Sequence, residues 1–90
     1  KEFIASAYYF YSTNILAKTC EVLGKIELFE EYSELAEEIR KAIIFEYYAE
    51  SGRLGLKNQT AYILSLFMDI APEYRERTAN DFAKLLKKDK

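Results

Sequence analysis

Breaks are scarce in this chain. One proline and three glycines punctuate 90 residues, so there is turn material for only a few connections, and the chain must be built from few, long helices. The breakers sit at Gly24, at Gly52 and Gly55, and at Pro72. They divide the chain into four helical segments, with 90 residues pointing to one small domain. Such a chain can bury roughly 60–65% of its unfolded surface, enough for a modest core.

The stretch NQTAYILSLFMDIAPEYR, Asn58 to Arg75, follows the glycine pair. Asn58 is suited to cap a helix, because its side-chain carbonyl can accept from a free amide of the first turn. Ala61, Leu64, Phe67 and Met68 share one face, and Tyr62, Ile63, Leu66 and Ile70 cover most of the rest. Only Ser65 interrupts the apolar surface. A helix apolar on several sides needs cover on several sides. It is expected to run up to Pro72, an N1 proline that starts the next helix. That last helix is amphipathic, with Tyr74, Thr78, Phe82 and Leu85 on one face and Ala79 and Leu86 beside it. Lys84, Lys87 and Lys88 lie at its C-terminal end, where the helix dipole favours cations.

The first helix is expected over Glu2–Leu23. Tyr8, Tyr9, Phe10 and Tyr11 are consecutive, so their rings point about 100° apart and cannot all enter one small core. An aromatic run also suits a strand, but the apolar spacing continues through Ile15, Leu16, Cys20 and Leu23, which favours helix. Gly24 stands where a left-handed residue ends a helix. The second helix, Ile26–Tyr47, carries an apolar stripe of Leu28, Tyr32, Leu35, Ile39 and Ala42, widened by Ile43, against a glutamate-rich face. Glu37 and Lys41 are an i,i+4 pair in the better orientation.

The order is broad-faced, one-faced, broad-faced, one-faced. The chain is therefore read as all-α: two stacked antiparallel hairpins, residues 1–48 and 58–90, joined by a loop over 48–57 with a short extended excursion at Arg53–Leu56. Sliding the second hairpin back by about 47 residues pairs Ile70 with Leu23, Phe82 with Leu35 and Leu86 with Ile39, as stacked α-hairpins would.

Several function classes fall away. The chain has no histidine, the commonest general base and metal ligand, and no metal or other cofactor is expected. A net charge of −2 with mixed signs gives no field for nucleic acid. Cys20 is alone, so no intrachain disulfide forms, and it reads as a buried inert thiol. No apolar run approaches a membrane span. The absence of a signal peptide and of a cysteine pair favours a cytoplasmic setting. The chain begins at Lys1 and stops in KKDK, which reads as the boundaries of a piece.

With the residues read, the order of motifs resembles one family. AYYFYSTNILAKTCEVLGKIELFEEYSELAEEIRKAI is similar to a hairpin of bacterial α-L-rhamnosidase catalytic domains, in which an aromatic-rich inner helix ends in a Leu-Gly-Lys turn and an outer helix carries Tyr-x-x-Leu-Ala. GRLGLKNQTAYILSLFMDIAPEYRERTANDFAKLL is similar to the next hairpin, through Gln59-Thr60-Ala61-Tyr62 with Leu64 and Leu66, and through Ile70-Ala71-Pro72-Glu73 with Arg75. The resemblance implies a segment, about two hairpins, of a six-hairpin (α/α) barrel. It implies hydrolysis of terminal α-L-rhamnosides with inversion, by one carboxylic acid and one carboxylate acting from opposite faces of the sugar. The family's acidic motif near Gly-Trp-x-Gly-Asp has no match here, and the chain has no tryptophan. No catalytic residue is carried over, and the chain alone is expected to be inactive.

Candidates for contact with carbohydrate are Tyr8, Gln59 and Tyr62; Tyr9, Tyr11 and Thr60 are further positions on the inner helices. Each has a bland counterpart. Inner-helix tyrosines can simply pack with a satisfied hydroxyl, and Gln59 and Thr60 can serve the first turn. Asp69 and Glu73 flank Pro72 and invite a glycosidase pairing, but charges at a helix start explain them. The glutamates of the second helix read as a solvated face. The alternative to an enzyme segment is a helical-repeat interaction module of tetratricopeptide type, which the spacing of about 47 rather than about 34 residues disfavours. A four-helix cytokine or cofactor bundle would need metal-ligand spacing that is missing. Inner helices without their neighbours expose apolar faces, so self-association is expected, as a symmetric dimer covering helices one and three.

Overall fold

A computed structural model describes residues 3–88. Four helices follow in order: α1 Phe3–Val22, α2 Ile26–Tyr47, α3 Gln59–Phe67 and α4 Arg75–Lys88, with a 3-10 turn Pro72–Tyr74 leading into α4. Glu2, expected at the start of the first helix, lies outside the described residues. α1 packs along α2, α3 along α4, and α1 also touches α3. The rings of Phe3 and Tyr47 meet edge-on at 5.2 Å, so the start of α1 lies against the end of α2 in an antiparallel hairpin.

α1 buries one stripe: Phe3, Ala7, Phe10, Thr13, Ala17 and Cys20. The spacing of three and four keeps these residues on one side, and the alanines let a neighbouring helix come close. The aromatic run divides as its geometry requires. Phe10 enters the core, Tyr8 and Tyr9 stay out, and Tyr11 lies half-buried with its ring 6.1 Å from that of Phe67.

α2 has the expected bounds, and of its expected stripe Ile43 is buried and Tyr32, Leu35 and Ile39 are half-buried, with the buried side rotated slightly toward Ala36 and Arg40. Ala36 and Ile43 are buried, whereas Ala42 is exposed and Leu28 remains 42% exposed. The rotation turns Arg40 inward, its side chain only 17% exposed, so that Nη1 donates to the Ile70 carbonyl at 3.2 Å and to Glu73 Oε1 at 3.1 Å. Its other nitrogens hold Glu37 in a two-pronged pair, Nη2 to Oε2 at 2.6 Å and Nε to Oε1 at 3.1 Å. The ion pair of Glu37 is thus with Arg40, not with Lys41, because only Arg40 is fixed in place by a second hairpin.

α1 and α3 end in the same way. At the end of α1, Gly24 (φ 77°) lets its own N–H reach the Glu21 carbonyl at 3.1 Å and the Lys25 N–H reach that of Cys20 at 2.9 Å. At the end of α3, Asp69 (φ 55°) places its N–H 3.3 Å from the Leu66 carbonyl and that of Ile70 3.1 Å from Ser65. Both are the paired bonds of a Schellman ending. α3 therefore stops at Phe67, well before Pro72, and the two hairpins register Asp69 on Gly24 rather than Ile70 on Leu23. At its start, the Asn58 side chain accepts from the Ala61 N–H at 2.8 Å, as its cap position predicts.

The broad burial expected of α3 is not met within the chain. Ala61, Tyr62 and Ser65 are buried, while Ile63 and Phe67 are exposed. Ser65, the one polar residue of the helix body, points inward and its hydroxyl bonds to that of Tyr48. Thr78 is buried beside Tyr48 and acts on its hydroxyl, though its Oγ1 makes no well-formed hydrogen bond among the described residues.

The segment between the hairpins is folded down onto the core. Leu54 is fully buried and bridges to Tyr48 as a single antiparallel pair. The Ala49 N–H bonds to the Arg53 carbonyl at 2.8 Å, and the Gly55 N–H to that of Tyr47 at 2.7 Å. Gly52 adopts φ 92°, and a Cβ there would stand 2.7 Å from the Tyr74 ring. Any larger residue would be strained in backbone and contact alike. Tyr74 itself stacks on Tyr48 at 5.8 Å.

Candidate functional site

Tyr62 is set by the first turns of α3, one turn beyond the Asn58 cap. Its ring stacks nearly parallel on Phe82 of α4 at 5.6 Å. The Tyr62 side chain forms one wall of an open cavity of about 280 Å³, lined also by Arg53, Lys57, Asp81, Lys84, Leu85 and Lys88. Arg77 holds Asp81 through an Nε–Oδ2 contact of 2.9 Å. Burial raises the Tyr62 hydroxyl above the ordinary phenol range, and the Asp81 carboxylate adds to this, while Arg53 and Arg77 oppose it. At neutral pH the group is a phenol that can donate a hydrogen bond. Tyr48 is likewise raised, mainly by burial, against the lowering effect of its bond to Ser65.

Gln59 is exposed one turn before Tyr62 on the same helix. Tyr8 lies on the exposed side of α1, 53% accessible, and does not line the cavity beside Tyr62. The three candidate positions thus fall on two surfaces rather than in one cleft. Reading by residue type missed Arg53, Lys57, Asp81 and Lys84. For Asp81 and Lys84 the signal was the recurrence of Arg77, Asp81, Lys84 and Lys88 at three- and four-residue steps along one side of α4; Arg53 and Lys57, in the segment between the hairpins, had no such signal.

The carboxylates near the turn are paired with arginine. Asp69 pairs with Arg75, and Glu73 and Glu37 both with Arg40. Arg40 holds the Glu37 carboxyl below the usual range, chiefly through their hydrogen bonds. These are structural roles. Cys20 is buried and free. Among the described residues no cluster of three or more His, Cys, Asp or Glu side chains is placed to hold a metal ion. No helix there is long and apolar enough to cross a membrane. The arrangement supplies rings, a phenol and cations for binding, while the carboxylates near the turn are engaged by arginines.

The fold and these surfaces define a class: stacked α-hairpins whose α1 and α3 carry apolar residues on more than their packed side. The chain matches the model of the bacterial alpha-L-rhamnosidase six-hairpin glycosidase domain over residues 1–90, and it belongs to that family. It is also 35% identical over 81 residues, 90% of its own length, to an alpha-L-rhamnosidase of Streptomyces avermitilis. It spans only 8% of the length of that relative. No solved structure matches the chain.

Proposed function

We propose that this chain is a two-hairpin segment of the catalytic barrel of an inverting α-L-rhamnosidase. The observation that carries the reading is the family match along the whole chain, joined to the identity with a relative bearing that name. In the intact enzyme a carboxylic acid protonates the leaving oxygen of a terminal α-L-rhamnoside while a carboxylate activates water on the opposite face, the two standing roughly 6.5–9.5 Å apart. The paired states of Asp69, Glu73 and Glu37 support placing both groups outside these residues. The segment's own part is to shape and line the barrel. Tyr8 has an exposed ring suited to stack on a sugar face, Gln59 an exposed amide at a helix start, and Tyr62 a phenol kept protonated.

The test is hydrolysis of an aryl α-L-rhamnoside by the 90-residue chain and by the longer polypeptide that carries it. The longer polypeptide is expected to be active and to release β-L-rhamnose first, seen by proton NMR before mutarotation, while the chain alone releases nothing. Release of the α-anomer would overturn inversion. A longer polypeptide inert on this and other glycosides would overturn the enzymatic reading, and turnover by the chain alone would return the chemistry to its own residues.

A further inference from the structure

Positive charge gathers at one place in a chain whose net charge is −2. The open cavity of about 280 Å³ beside Tyr62 is lined by Arg53 and Lys57 from the segment between the hairpins and by Lys84 and Lys88 from α4. Among the described residues the ion pairs are made by Arg40, Arg75 and Arg77, and none of the four lining cations has a carboxylate partner. Asp81, the acidic group of the lining, is already held by Arg77 at 2.9 Å. The helix dipole accounts for lysines at the end of α4, but not for Arg53 and Lys57, which arrive from a separate segment. Like charges set around one hollow repel each other, and an anion between them removes that repulsion.

The walls are fixed in place. Arg53 is pinned on both sides, its carbonyl accepting from the Ala49 N–H at 2.8 Å and the next side chain, Leu54, fully buried. The Tyr62 ring is buried and stacked on Phe82, and its hydroxyl feels the charges of both Asp81 and Arg53, which places a phenol donor beside the cations. Half-buried Leu85 adds an apolar patch. All of these walls come from the second hairpin and the segment leading into it, so no neighbouring hairpin is needed to make the site. The volume lies at the low end of ligand sites, which start at roughly 300 Å³, and suits a body of one ring. We propose that this cavity binds a small organic oxyanion, a carboxylate or a phosphate ester borne on a single ring, with the anion among the four cations and the ring against Tyr62 and Leu85. Such binding is independent of the rhamnosidase reading, since it is measured without turnover.

Isothermal titration of the longer polypeptide that carries the chain, with its other hairpins in place, tests this with D-glucuronate, phenyl phosphate, inorganic phosphate and D-glucose as probes. D-glucuronate or phenyl phosphate is expected to bind roughly tenfold tighter than inorganic phosphate or D-glucose, and the tighter of the two tells carboxylate from phosphate ester. Arg53→Gln combined with Lys57→Gln is expected to weaken that binding on the order of tenfold, with the helical circular dichroism unchanged because both positions are exposed. Lys41→Gln, at an exposed cation on α2 outside the cavity, is expected to leave binding as it was. Should the first variant unfold, Lys84→Gln combined with Lys88→Gln replaces it. A polypeptide that binds neither acid overturns the site, as does binding that a folded lining variant leaves untouched. Inorganic phosphate binding as tightly as the better acid overturns the part given to the ring, and D-glucose doing so overturns the part given to the anion.

Discussion

Thr78 is the residue whose chemistry is least satisfied. Its side chain is buried beside Tyr48, close enough to lower the pKa of the Tyr48 hydroxyl, yet among the described residues its own hydroxyl makes no well-formed hydrogen bond. An unmade bond in the interior leaves a desolvation cost of about 1–3 kcal/mol. Thr78→Val keeps the shape and removes the hydroxyl, so it is expected to raise stability by about 1 kcal/mol, read from urea denaturation. Ser65→Ala is the contrasting change, since it strands the Tyr48 hydroxyl that now has a partner. The sequence pattern places Thr78 on the inward face of the last helix correctly, but treats Ser65 as an interruption. Periodicity counts polar residues as outward, and the partner that makes Ser65 welcome inside lies 17 residues away.

At the scale of the element, the two Schellman endings differ in their left-handed residue. Gly24 adopts that conformation without cost, whereas Asp69 carries a Cβ into it. Asp69→Ala is expected to lose about 1–2 kcal/mol, because alanine lacks the short polar group that makes the conformation tolerable. Asp69→Gly forfeits only an exposed ion pair, worth less than about 1 kcal/mol, and relieves the backbone. Opposite ranking of the two variants in thermal unfolding would remove this account. The same comparison shows what local sequence can tell. Gly24, Asn58 and Pro72 announce their turns because their own chemistry requires them. The end of α3 at Phe67 is carried by an aspartate, a residue equally at home in a helix start, and so was legible only once the bonds to Leu66 and Ser65 were seen.

For the whole molecule, Arg40 is a polar tie between the hairpins beside the Tyr48–Ser65 bond, joining α2 to the Ile70 carbonyl and to Glu73. Arg40→Met is expected to destabilise by about 1–3 kcal/mol, since it leaves buried backbone without its donor. The pH dependence has a definite sign. Glu37 titrates below its unfolded value, so its contribution is complete at neutral pH and is lost as pH falls through the lowered range, below about 4.3. In Arg40→Met that acid-side loss should shrink, because Glu37 returns to the ordinary range. The inward turn of Arg40 also explains why the buried side of α2 reaches beyond the apolar stripe: hydrophobic spacing alone cannot foresee that an arginine will be drawn in by a carbonyl on another hairpin. The family, by contrast, was legible from the order of motifs along the chain, which does not depend on which way a helix is rotated.

The segment between the hairpins has the composition of a cut site, with Arg53 and Lys57 among glycines and a serine. Its conformation argues otherwise. A protease must draw several residues into an extended strand within its own cleft, and here Leu54 would have to leave a fully buried seat while the bonds from Ala49 and Gly55 broke with it. Tryptic cleavage after Arg53 thus reports opening of the core rather than local fraying. Digestion at that bond would follow the global unfolding equilibrium, and the connection between hairpins becomes a gauge of the whole.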